Sequence, residues 1–138
     1  MKWILCLGFF TSIVAVAEPL TIRVQQVKVA RGSINIELFY SAASWDRETP
    51  DQEVMIHPVR LNESSITLNL PPGKYAFFLY EDLDGDGQLK QTAMGFPAEP
   101  YAFSNNVKIR FSKPTFESMA FTVARGVATE HVVQLQQP

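Results

Sequence analysis

Tyr75-Ala76-Phe77-Phe78-Leu79-Tyr80 is the stretch on which the fold turns. A β-strand sends successive side chains to opposite faces. Here both faces are apolar, so both need cover, and the segment predicts a central strand. Pro71-Pro72-Gly73 before it is a tight turn. Upstream of that turn, Ile66, Leu68 and Leu70 alternate with polar residues, as in a strand with one buried face.

The same period of two runs through most of the chain. Leu20, Ile22 and Val24 alternate with Thr21, Arg23 and Gln25. The phase slips at Gln25-Gln26, which predicts a β-bulge before Val27 and Val29. Arg31-Gly32 is a turn. Ile34, Ile36, Leu38 and Tyr40 then alternate with Ser33, Asn35 and Glu37, and the two runs pair as a hairpin in this reading. Residues 41–51 are polar, carry Pro50 and read as a loop with one large apolar residue, Trp45. Residues 54–61 form a weaker strand, which Pro58 directs to a sheet edge. Downstream, Val107, Ile109 and Phe111 alternate, and Pro114 ends that run. Phe116 opens the next strand, with Met119, Phe121 and Val123. Arg125-Gly126 turns, and His131, Val133 and Leu135 close the chain. The count is seven or eight short strands and no helix, an all-β chain that packs as a sandwich or open barrel.

The N-terminus reads as an export signal. Lys2 is followed by an uncharged, mostly apolar run from Trp3 to Val16, and Ala15-Val16-Ala17 is a small-x-small cleavage motif. The run is shorter than the ~20 apolar residues of a spanning helix. The expected organisation is a signal peptide over residues 1–17 and one β-sandwich domain over 18–138, periplasmic or extracellular, with no transmembrane segment in the mature chain. The single cysteine, Cys6, lies inside the signal peptide. The mature domain would have no disulfide and no thiolate, and it must hold together through its core. Fourteen acidic residues face twelve basic ones, for a net charge of −2. No basic cluster suggests a nucleic-acid partner.

One stretch departs from strand punctuation: Glu81-Asp82-Leu83-Asp84-Gly85-Asp86-Gly87-Gln88-Leu89-Lys90. Asp82, Asp84 and Asp86 stand at positions 1, 3 and 5 of an EF-hand-type calcium loop. Gly87 is at position 6, where the chain turns sharply, and Gln88 at position 7 would offer its backbone carbonyl. Position 9 is Lys90 and position 12 is Ala93, where a bidentate Glu would normally stand. A closing carboxylate must come from elsewhere, Glu99 first and Glu81 second. Calcium is the one cofactor this pattern points to, with a dissociation constant of roughly 10⁻⁴ to 10⁻³ M. The competing reading is a solvated turn that uses Asp and Gly for local hydrogen bonds and positive φ. Phe96, Tyr101 and Phe103, in the long loop that follows, are candidates for a glycan- or peptide-binding platform, or for plugs at the open end of the fold.

No catalytic set emerges. His57 and His131 are the only histidines, and Ser64, Ser65, Ser104 and Ser112 lack a nucleophile-elbow context. His131 falls on the apolar phase of its strand, as a hydrogen-bonded core or rim imidazole would. A non-enzyme is expected.

Residues 71–123 resemble a family of exported bacterial proteins known as domain of unknown function 2141. The resemblance rests on Leu70-Pro71-Pro72-Gly73-Lys74-Tyr75-Ala76, on Asp82-Leu83-Asp84-Gly85-Asp86-Gly87, on Met94-Gly95-Phe96-Pro97-Ala98-Glu99-Pro100-Tyr101-Ala102-Phe103-Ser104-Asn105-Asn106, and on Pro114-Thr115-Phe116-Glu117. It implies a Greek-key, transthyretin- or prealbumin-like β-sandwich, as in carboxypeptidase regulatory domains, and no activity. Lys90 stands where the family often has Asp, which counts against a metal. The resemblance also implies that the acidic loop and the loop of Glu99 and Ser104-Asn105-Asn106 form one unit, with Asp82, Asp86 and Glu99 close together. The expected role is a binding or structural module of the cell envelope whose partner is an unknown envelope protein, peptide or glycan.

Overall fold

The structure, a computed structural model, describes residue 12 and residues 16–138. The export signal therefore falls almost wholly outside the described residues. Among the described residues, eight strands form two sheets. The first has three strands in the order β4 (Asn62–Leu70), β1 (Glu18–Val27), β8 (Thr129–Gln134), with β1 and β8 parallel. The second runs β3 (Gln52–Ile56), β2 (Ser33–Phe39), β5 (Gly73–Asp82), and the far edge of β5 is shared by two short strands. β7 (Phe121–Val123) pairs with residues 73–75, and β6 (Tyr101–Phe103) with residues 78–80. Among the described residues, no helix is long and apolar enough to cross a membrane.

The two sheets bury their facing sides in one core. Leu20, Ile22 and Val24 of β1 meet Ile34, Ile36 and Leu38 of β2 and Phe77 and Leu79 of β5, all fully buried. The outer face of the three-stranded sheet is polar. There Thr21 bonds Thr67, and Arg23 bridges Glu63 and Glu130. The outer face of the five-stranded sheet is covered a second time, by Phe39, Ala76, Phe78, Tyr80 and Phe103 beneath Trp45, Phe116 and Met119. The double-faced apolar pattern of β5 thus has the central, twice-covered position it predicts.

The slip at Gln25 is a bulge. The register breaks between Gln25 and Val27, and Gln26 takes φ 61°. β3 is an edge strand that ends before Pro58. Four expectations need correction. β1 and β2 are not a hairpin: they lie in different sheets, with their apolar phases facing across the core. The chain crosses at Gly32 (φ 70°), where a Cβ would stand 1.8 Å from the Asp82 carbonyl oxygen, so only glycine fits. Residues 107–111 form no strand, because β6 and β7 already occupy the free edge of β5; Val107 and Ile109 pack against the outer aromatic cluster instead. Phe116 opens a helix, α2 (Phe116–Met119), capped by Thr115 Oγ1 on the Ser118 N–H, and its i, i+3 pair Phe116 and Met119 points inward. The 41–51 loop holds a second one-turn helix, α1 (Ala42–Asp46). Ser41 caps it, and its Trp45 donates Nε1–H to the Pro114 carbonyl at 2.7 Å.

Candidate functional site

The acidic loop begins where β5 ends. Asp82 is buried, and its two carboxylate oxygens accept the N–H groups of Gly85 (2.9 Å) and Gly87 (2.8 Å). Both glycines have positive φ, 72° and 74°, a conformation that other residues adopt only with strain. Asp86 Oδ1 accepts the Gln88 N–H at 2.9 Å, and Asp84 Oδ1 accepts the Asp86 N–H at 3.3 Å. Below the loop, Tyr80 donates its hydroxyl to the Gly87 carbonyl at 3.1 Å, and burial pushes its phenol up. The result is a tight coil in which oxygens of Asp82, Asp84 and Asp86 lie within 4.8 Å of one another, Asp84 and Asp86 on the exposed side.

Glu99 lies outside that group. It is buried, and each oxygen takes one backbone donor: Leu83 N–H to Oε1 and Lys90 N–H to Oε2, both at 3.0 Å. It clamps the two ends of the acidic coil. Glu81 projects from β5 toward the core side, opposite Asp82, and is only 1% exposed. Its Oε1 has no hydrogen-bond partner among the described residues. Burial pushes its carboxyl up to about 7; nearby Arg31 pulls it back and Glu99 pushes it further up.

The three aromatics do not share one open face. Phe103 is 3% exposed, packed on Phe78 (centroids 5.0 Å apart) and edge-on to Trp45 (6.2 Å). Tyr101 is half-buried, and Phe96 is exposed. Ser104-Asn105-Asn106 does not join the acidic coil. Ser104 Oγ donates to the Met119 carbonyl (2.7 Å) and accepts the Phe77 N–H (3.1 Å). Asn105 (φ 61°) donates its N–H to His131 Nε2 at 2.8 Å, so that nitrogen carries no proton. Asn106 donates Nδ2 to the Val132 carbonyl and accepts the Gln134 N–H. The run ties β8 and α2 to β6. His131 sits between Phe77 and Phe121, and burial pushes its imidazole down. The Asn105–His131 bond links residues far apart in the chain, and the one sequence signal for it is the inward phase of His131. Glu37 and Glu53 face each other across β2 and β3 on the outer sheet face; burial first, then Glu53 and Glu48, push the Glu37 carboxyl up.

Over residues 22–131 the chain matches the model of a family described as "uncharacterized protein conserved in bacteria (DUF2141)". No curated protein and no solved structure matches it. The chain belongs to this bacterial family of uncharacterized proteins.

Proposed function

We propose that this family member is an exported, non-enzymatic binding or structural module of the cell envelope whose 82–88 loop holds calcium weakly. In this reading residues 1–17 are a cleaved signal peptide, and 18–138 form one Greek-key, transthyretin-like β-sandwich. Two packed sheets, with the chain crossing between them at Gly32, support that architecture.

The observation that carries the calcium reading is the 4.8 Å grouping of Asp82, Asp84 and Asp86 oxygens on a coil already closed by Asp82 and Glu99. Three carboxylates at that spacing repel one another. A hard divalent cation with oxygen ligands relieves the repulsion, and backbone carbonyls and water would complete a shell of six to eight oxygens. Glu99 serves this arrangement as a clamp rather than a ligand, since it lies outside the 4.8 Å group and holds the Leu83 and Lys90 N–H groups. The glycan or peptide platform has less behind it, because Phe103 is a core residue.

Thermal melting in calcium and in chelator tests the proposal. With a dissociation constant of ~10⁻⁴ M, about 10 mM calcium adds ~2.7 kcal/mol. That raises the Tm by several degrees. Asp84→Ala should melt normally in chelator and lose the calcium shift. A folded wild-type protein whose Tm ignores calcium would sink the proposal.

A further inference from the structure

Single exposed apolar side chains are ordinary on protein surfaces. Here the two most exposed large ones among the described residues share one opening. Phe111 is 99% exposed and Met94 is 82% exposed. With Phe96, at 41%, they line a groove of about 510 Å³. Phe111 falls on the inward phase of Val107 and Ile109, which do pack against the outer aromatic cluster, yet it is turned to solvent. Met94 sits near the tip of a short finger. Ala98 N–H donates to the Lys90 carbonyl (2.7 Å), Thr92 N–H to that of Phe96 (2.8 Å), and Gly95 N–H to that of Thr92 (2.9 Å). Glu99 pins the base of the finger through Lys90 N–H.

The segment that carries Phe111 is positive. Val107-Lys108-Ile109-Arg110-Phe111-Ser112-Lys113 carries three cations and no acid in a chain of net charge −2. Lys113 is engaged, with the Trp45 carbonyl (2.8 Å), Glu48 (3.2 Å) and the Trp45 ring (4.0 Å). Lys90, Lys108 and Arg110 are exposed and form no ion pair among the described residues. The acids lining the groove are Glu37 and Glu48, and Glu48 already holds Lys113.

We propose that the 89–98 finger and the 107–113 segment form a docking surface for an anionic lipid bilayer. Met94, Phe96 and Phe111 enter the boundary between headgroups and acyl chains, and Lys108, Arg110 and Lys90 meet the lipid phosphates. Exposed apolar tips, with the free cations Lys108 and Arg110 next to Phe111 in the chain, suit a fluid, negatively charged interface. A protein partner would need roughly 1,000 Å² of complementary surface. The inference rests on the reading of the chain as an envelope module and names the partner.

Co-sedimentation of the full chain with phosphatidylcholine vesicles, with and without about one phosphatidylglycerol in three, tests it at about 0.1 M salt. Binding to the anionic vesicles is expected. Phe111→Ala should weaken it at least about tenfold, with an unchanged melting temperature because the ring is exposed. The paired change Lys108→Glu and Arg110→Glu should remove the preference for anionic lipid. The N-terminal segment is the same in every variant, so the differences between variants are the readout. Equal partitioning of wild type and Phe111→Ala, or no binding at all, overturns the proposal. So does Phe111-dependent self-association without vesicle binding, which would make a second copy the occupant. A calcium shift in Tm that persists while vesicle binding fails would overturn the bilayer and leave the calcium loop standing.

Discussion

Asp82 and Glu81 are adjacent in the chain and lie on opposite faces of β5. Asp82 has a backbone donor for each oxygen, whereas Glu81 is buried with an oxygen unpartnered. A folded-state carboxyl at about 7, against an ordinary 4.5, means the folded protein holds that proton more tightly than the unfolded chain. Its contribution is fully present below pH 4.5 and is lost as pH rises through 7. Glu81→Gln, which keeps the shape and removes the charge, should therefore stabilise the protein at pH 8 by about 2–3 kcal/mol and leave it nearly unchanged at pH 4.5. Chemical denaturation at the two pH values checks this; equal effects at both would remove the buried charge from the account. His131 has the opposite sign. Burial depresses its pKa below 6.5, and its unprotonated Nε2 accepts the Asn105 N–H. Its stability is present above pH 6.5 and is lost as pH falls through the lowered folded value. In Glu81→Gln stability should rise with pH up to about 6.5 and then level off, and replacing His131 as well should flatten that rise.

At the scale of elements, Glu99 and the aspartates divide the labour of the acidic loop. Glu99→Ala strands the Leu83 and Lys90 N–H groups, each of which loses a charge-assisted bond. The expected cost is about 3 kcal/mol, with faster hydrogen exchange at those two amides. Asp84→Ala should cost little, because Asp84 is exposed and its removal relieves repulsion. Equal costs for the two variants would contradict the division. The same scale separates what was legible in the sequence from what was not. The both-face apolar run of β5 declared a central strand, Pro58 an edge, and the phase slip at Gln25 a bulge. Alternation states which face of a strand is buried but not which strand it pairs with. Hence β1 and β2 read as a hairpin although they face each other across the core. It also cannot register that an edge is full, and residues 107–111 read as a strand for that reason. The two helices are four and five residues long, too short for a helical period, and their signal was the caps at Ser41 and Thr115. In the site, the Asp spacing was legible; Glu99, expected beside Asp82 and Asp86 as the closing carboxylate, instead holds the Leu83 and Lys90 N–H groups. The tie of Ser104-Asn105-Asn106 to β8 and α2 was not legible, because it depends on which strand lies alongside.

For the whole molecule, the described chain is held by a core between two sheets and a second apolar layer outside one of them, with no cysteine among the described residues. That second layer anchors β6 and its flanking loops, so the acidic coil and the finger stand on a sheet covered on both faces. A cation site built this way should be formed before the ion arrives and should bind without rearranging the fold. Backbone amide NMR during a calcium titration tests this most directly. Saturable shifts concentrated at residues 82–88 are expected, with a dissociation constant of roughly 10⁻⁴ to 10⁻³ M, and strand amides that stay in place. Amides of the 82–88 loop that do not move in about 20 mM calcium, more than ten times the weakest affinity expected, in a protein whose strand signals show it folded, would contradict it.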